Sequence, residues 1–245
     1  MARAIFVMFA LLAYTIFFVT FLYLIAFVGD LPWVSKTVDR GMTSGMPVAP
    51  AIDLALIALF GVQHSVMARR GFKAAWTRFV PPPIERSVYV LAASLVLILL
   101  FAFWQPIDGV VWSVQDGLGA AILWTGFAAG WLLVLLSTFF INHFELFGLS
   151  QVILNWRGAR AADPRFRQPL FYRLVRHPLY SGFILAFWST PHMSAGHLLL
   201  ALGMTVYILI AIRYEERDLV HLFGQDYEAY QQRVGMLLPR MKRRV

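Results

Sequence analysis

Four stretches of this chain are each apolar over the length needed to cross a bilayer, and that feature excludes most folds at once. A hydrocarbon core about 30 Å thick takes about 20 residues of helix. The matching runs are Ala4–Val28, Ala49–Ala68, Val88–Trp104 and Leu118–Ile141, each bounded by charge, proline or glycine. Within lipid every backbone polar group must be bonded inside the chain, so uninterrupted runs of this kind read as helices. A fifth apolar stretch, Leu179–Ile212, is too long for one crossing and is broken at Thr190-Pro191-His192. Proline removes a backbone donor there, and the stretch reads as a hairpin of two short helices. Composition agrees: 60% of the 245 residues are apolar and 14% charged, against about 45–50% and about 25% in soluble domains. The fold class expected is all-α: a polytopic membrane bundle of four long spans plus a short-helix hairpin, about six crossings, with a cytoplasmic helical tail. As one domain over residues 1–245, it divides into a four-span half, 1–141, and a second half, 142–245, holding a loop, the hairpin and the tail.

Charge orients the bundle. The apolar run after Arg3 exceeds the 7–15 residues of a signal-peptide core and no small-x-small cleavage site follows, so it reads as a retained span. With both termini in the cytoplasm, the inner face receives Arg3, the basic residues of Arg69–Arg86, those of Asn142–His177, and the tail from Arg213 through Arg240, Lys242, Arg243 and Arg244. Those segments hold 19 of the 21 Lys and Arg residues, leaving Lys36 and Arg40 outside. That is the asymmetry of the positive-inside rule, and it requires an even number of crossings. The net charge of +8 therefore reports topology, and nucleic acid is not an expected partner. The bilayer is; no obligate protein partner is evident.

The absence of cysteine excludes disulfides, thiolate metal sites and a cysteine nucleophile. Gly117-Leu118-Gly119 lacks the preceding strand and third glycine of a dinucleotide fingerprint. No internal repeat suggests a transporter built from duplicated halves. Pro81-Pro82-Pro83 reads as a stiff elbow, and Gly126 with Gly130 forms a small-xxx-small pair suited to close helix packing.

Polar residues concentrate at the ends of spans assigned to the cytoplasm: Gln63-His64-Ser65, Asn142-His143-Phe144-Glu145, Arg176-His177-Pro178-Leu179-Tyr180, and Arg213-Tyr214-Glu215-Glu216-Arg217-Asp218. Taken singly, each fits an interface, where Arg snorkels and His and Tyr sit at headgroups. The fifth-span motif says more. Pro178 keeps His177 out of the helical region and suits a first helical turn, so Arg176 and His177 precede a helix N-terminus able to hold a carboxylate or phosphate. Glu215 and Glu216, expected at the end of the antiparallel partner helix, form a cation-binding pole reinforced by the helix dipole. Together the poles match a zwitterion carrying an extra positive centre.

Arg176-His177-Pro178-Leu179-Tyr180-Ser181-Gly182, followed by Glu215-Glu216, resembles the RHPxYxG…EE signature of integral-membrane methyltransferases of the isoprenylcysteine carboxyl and phospholipid methyltransferase type. Leu222 through Tyr230 and Leu237-Leu238-Pro239 extend the match through the tail. Gln63 through Arg69, Phe72-Lys73, Pro81 through Ser87 and Ile141 through Leu149 narrow it, resembling the bacterial methanethiol S-methyltransferases.

The resemblance implies S-adenosylmethionine as methyl donor, a small thiol as substrate, dimethyl sulfide as product and a bacterial inner membrane as location. It places the donor on Arg176, His177, Pro178, Tyr180, Gly182, Glu215 and Glu216, with Tyr180, Tyr227 and Tyr230 as rings for the adenine or the sulfonium. Thiol deprotonation falls to His64 or His143, helped by Glu145 and Asn142. Metal ligands are not expected. The alternatives are a methyltransferase for a lipid-borne or prenylated acceptor, a haem or metal protein using His64, His143 and His177, and a small-solute carrier.

Overall fold

The computed structural model describes residues 1–159 and 166–240; Arg160 and Arg165 of the loop, and Lys242, Arg243 and Arg244 of the tail, lie outside the described residues. The elements run α1 (Ala2–Val28), α2 (Val48–Ala68), α3 (Arg70–Trp76), α4 (Pro82–Phe103), β1 (Val110–Ser113), α5 (Gly117–Ile141), α6 (His143–Leu146), α7 (Leu149–Arg157), a 3₁₀ turn (Leu170–Arg173), α8 (Pro178–Trp188), β2 (His192–Ser194), α9 (Ala195–Phe223) and α10 (Gln225–Arg233). Among the described residues five helices are long and apolar enough to cross a membrane: α1, α2, α4, α5 and α9. Their outer faces carry large apolar side chains such as Leu11, Leu12, Val19 and Leu22 of α1. In water each would forfeit roughly 1.5–3 kcal/mol of burial; in a bilayer they face their proper solvent. The chain is a polytopic all-α membrane protein.

The structure forms two compact units, each discontinuous in sequence. The first contains α1 to α4, β1, α6, α7, β2 and the start of α9 as far as Gly203. In it α4 packs against both α1 and α2. Its core includes Phe27, Phe101 and Trp104, with the Trp104 indole N–H donating to the Val38 carbonyl at 3.1 Å. α7 lies on α1 through Leu149, Val152 and Ala10, with Tyr14 and Ile84 beside them. The turn between α6 and α7 requires Gly148: its φ is +89°, and a Cβ there would stand 2.8 Å from the Ser87 backbone nitrogen.

The second unit contains α5, the 3₁₀ turn, α8, α9 from Met204 onward and α10. α5 and α8 touch backbone to backbone. A methyl group on Gly130 would sit 2.6 Å from Ala186 N and 2.7 Å from Gly182 O, so the expected small-residue packing operates within the chain at Gly130 and Gly182. Trp131 presents edge-on contacts to Phe183 and Phe187 on either side of that crossing.

Two expectations are corrected. The break at Pro191 exists, but its sequel includes β2, which pairs antiparallel with β1 in the register Val110↔Ser194, Trp112↔Met193, Ser113↔His192. The second helix of the hairpin is also not short. α9 passes straight through Arg213–Asp218 to Phe223, because residues 213–223 contain neither Gly nor Pro and their Arg, Glu and Leu favour helix. It ends only where Gly224 adopts a φ of +55°.

Candidate functional site

The second unit gathers the RHP motif, the paired glutamates and the tail. Pro178 occupies the first turn of α8 and His177 is its N-cap. The segment before it is fastened to the tail: Val175 bridges Gly235, Arg176 N donates to Gly235 O at 2.8 Å, and His177 N donates to Met236 O at 3.1 Å. The Ser181 hydroxyl reaches Leu237 O at 2.7 Å.

Glu216 is the hub of this cluster. Its Oε1 accepts from Arg176 Nε at 2.7 Å and lies 2.9 Å from His177 Nε2, while Oε2 accepts from Gln231 Nε2 at 2.9 Å. His177 is 5% exposed. Arg176 Nη1 donates to Gln231 O at 3.2 Å and Val234 O at 2.6 Å, so that among the described residues Nη2 is the one guanidinium nitrogen of its five-donor fork with no acceptor. Glu215 stands apart from this network and accepts from the Tyr180 hydroxyl at 3.0 Å.

The glutamates sit inside α9, about two turns before its end at Phe223. The helix dipole acts only over the last turn, so the expected dipole reinforcement at Glu215 and Glu216 does not operate; their surroundings come from side chains. Beside them Tyr227 and Tyr230 of α10 are buried and meet Phe166 edge-on at 5.8 and 5.3 Å between centroids. Burial, with Glu216 and Glu215 nearby, pushes the Tyr227 hydroxyl well above its ordinary range. Burial pushes Tyr230 up to about 12, with Arg176 opposing and Glu216 adding. Both rings are therefore neutral hydroxyl donors at physiological pH; that of Tyr230 donates to Tyr172 O. Gly182 lies at the α5 crossing. Sequence reasoning missed Gln231, Phe166 and Tyr172. Gln231 had a legible signal, one helical turn beyond Tyr227, but nothing in the sequence said which carboxylate it would meet.

The other candidates fall in the first unit. His143 Nε2 lies 2.8 Å from the Tyr14 hydroxyl, and its ring packs on Phe147 at 4.8 Å. It is 6% exposed, and burial pushes its pKa below the ordinary histidine value. Asn142 caps α6: its Oδ1 accepts from Glu145 N, and its Nδ2 donates to Glu145 Oε2 at 2.7 Å. Glu145 thus carries Asn142's amide as a capping pair. His64 Nε2 lies 2.7 Å from the Tyr89 hydroxyl. The first two turns of α4 touch both histidine neighbourhoods, through Tyr89 at His64 and through Arg86 Nε, which donates to Leu146 O at 2.7 Å. Each histidine is therefore oriented by a tyrosine, a pairing the sequence did not announce. No cluster of His, Asp and Glu able to hold a metal occurs among the described residues.

The chain is 55% identical over 232 residues to Methanethiol S-methyltransferase 1 of Bradyrhizobium diazoefficiens, covering 95% of this chain and 81% of that protein. It is 51% identical over 239 residues to Methanethiol S-methyltransferase of Mycobacterium tuberculosis, covering 98% of each. Nurim of Rattus norvegicus is 30% identical over 203 residues, 79% of this chain and 75% of that protein. No family model and no solved structure matches the chain.

Proposed function

Because the chain belongs to the methanethiol S-methyltransferase family, we propose that it methylates methanethiol to dimethyl sulfide, with S-adenosylmethionine as donor bound at the cytoplasmic side of a bacterial inner membrane. The observation that carries the reading is the kinship across 98% of both chains. The clustering of RHPLY, the glutamate pair and the buried tyrosines in one unit supports the donor assignment.

The residues fit such a donor by chemistry. Glu215 offers a carboxylate with one partner among the described residues, suited to an ammonium or to ribose hydroxyls, and Tyr180 orients it. Arg176 Nη2 and the first-turn amides of α8 suit a carboxylate. Phe166, Tyr227 and Tyr230 supply rings for a purine or for a cationic sulfur. Glu216 acts indirectly, holding Arg176, His177 and Gln231 in place. When bound, the donor supplies an electrophilic methyl group. The protein contributes orientation and exclusion of water. His143 and His64, each hydrogen-bonded to a tyrosine, are the bases offered to the thiol proton.

Purified protein given labelled S-adenosylmethionine and, separately, methanethiol, hydrogen sulfide, longer alkyl thiols and prenyl-cysteine analogues decides the matter. Labelled dimethyl sulfide as the main volatile product is the expected result. Transfer only to the prenyl analogues would move the chain to a lipid-borne acceptor, and no transfer to any acceptor would end the reading.

A further inference from the structure

The segment between α2 and α4 is strongly basic, and the structure sorts its cations into two kinds. Arg70 and Arg78 are exposed, whereas Arg69, Lys73 and Arg86 are half-buried. Arg69 Nε donates to Ser65 O at 3.1 Å. Arg86 is held by Leu146 O and lies with its guanidinium carbon 4.9 Å from the Tyr89 ring centroid, the same tyrosine whose hydroxyl meets His64. Lys73 differs from both, for its ammonium makes no hydrogen bond or ion pair with any described residue. Burial pushes its pKa down, Arg86 and Arg69 add to that, and Glu85 alone opposes. One helical turn on, the buried Trp76 Nε1–H has no acceptor among the described residues either.

Beside Arg86, an unpaired half-buried ammonium and an unpaired buried N–H form, among the described residues, a corner short of an anion. Its walls are aromatic: Phe60 stacks on His64 at 5.2 Å, and Phe72 stacks on Trp76 at 5.7 Å. Exposed arginines such as Arg70 and Arg78 suit lipid phosphates in the headgroup layer. The withdrawn pair among aromatic rings suits a small, soft anion bearing an alkyl group.

We propose that this corner binds the acceptor thiol as its thiolate, held by Lys73 and Arg86 beside the Tyr89–His64 pair. The inference rests on the reading of the protein as a thiol methyltransferase and deepens it. The thiol S–H bond breaks heterolytically, the electron pair stays on sulfur, and the proton leaves for water, with His64 as the carrier on the way out. Lys73 and Arg86 set how much thiolate is present; the histidine sets only how fast the proton departs. Each tenfold gain in thiolate is one unit by which the bound thiol's pKa falls.

Calorimetric titration of the detergent-solubilised full chain with ethanethiol, in buffers of different ionisation enthalpy near neutral pH, reads the proton directly. About one proton released per thiol bound is expected. In Lys73→Met and Arg86→Gln that release should fall toward zero, apparent affinity near neutral pH should fall at least tenfold, and it should recover as pH approaches the thiol's own ionisation. Lys73→Arg should restore the release, which separates lost charge from lost folding. S-adenosylhomocysteine should bind all four proteins equally. Thiol binding by the wild type without proton release would overturn the thiolate site and leave the methyltransferase intact. If Lys73→Met instead altered only binding to phosphatidylglycerol vesicles and kept proton release in detergent, the cations would belong to lipid and the proposal would fail. A wild type that binds no thiol would remove the functional reading and this inference together.

Discussion

At the scale of single residues, the two acidic neighbours Glu215 and Glu216 separate into different roles. Glu216 ties together Arg176, His177 and Gln231, and its ion pair with Arg176 is partly buried, so truncating it costs up to about 3–5 kcal/mol, the figure for a fully buried pair. Glu216→Ala should therefore lose folded protein along with donor affinity, visible as reduced monodisperse yield and a lower Tm. Glu215→Gln should keep the fold while weakening S-adenosylhomocysteine binding by one to two decades, the worth of about 1.5–3 kcal/mol for a charged hydrogen bond; unchanged affinity by calorimetry would remove Glu215 from the donor site. His143 carries a pH signature. Burial lowers its pKa in the folded chain, so below about pH 6.5 the unfolded chain takes up a proton that the folded one resists. The stability contributed by the neutral imidazole is present above that pH and lost as pH falls through it. Tm should drop on acidification from about pH 7.5 to about 5.5, and less steeply in His143→Gln; equal slopes would show that the ring is no harder to charge when folded. That the RHP segment and the glutamate pair would come together was legible because a proline, a histidine and a glutamate pair advertise their chemistry in one dimension. The division of labour between the glutamates was not, since it depends on which side of α9 each carboxylate leaves, and on Gln231 arriving from another helix.

Among the elements, the long spans were readable because a bilayer imposes a length, and length survives in sequence. The spans expected at Ala4–Val28, Ala49–Ala68 and Leu118–Ile141 lie within a few residues of α1, α2 and α5. The start of α4 was placed late: the expected span opened at Val88, but the helix begins at Pro82, where the proline elbow supplies the first turn. The extent of α9 was misjudged because a run of charges looks like an exit from the membrane, whereas a helix ends where its backbone must, at Gly224. The α5–α8 crossing tolerates least. Gly182→Leu would drive a side chain into the Gly130 carbonyl 2.7 Å from its Cβ, and overpacking costs about 1–3 kcal/mol or more. Its yield of folded protein should fall well below that of Gly71→Leu, where a Cβ meets nothing within 4 Å. Equal yields from size-exclusion chromatography would show that the helices separate freely.

For the whole molecule, the absence of cysteine makes topology directly measurable. Single cysteines at Ala74 in α3 and Ala229 in α10 should react with a membrane-impermeant maleimide only after permeabilisation. One at Ser113 in β1 should react in intact spheroplasts. Labelling of Ala229→Cys from outside would place the proposed donor cluster away from the cytosol and undo the proposed sidedness. The stitching of Arg176 and His177 to Gly235 and Met236 also has a meaning for biosynthesis. The RHP segment is synthesised some 60 residues ahead of the carbonyls that receive its amides, so the cluster around Arg176 cannot close until those carbonyls have been made. A nascent or prematurely terminated chain ending before Val234 can place its spans in the bilayer yet leave Arg176 without two of its acceptors. Residues 234–236 are thus the stretch that closes the cluster of Arg176, His177 and Glu216, and a chain stopping short of them would carry that cluster open on one side.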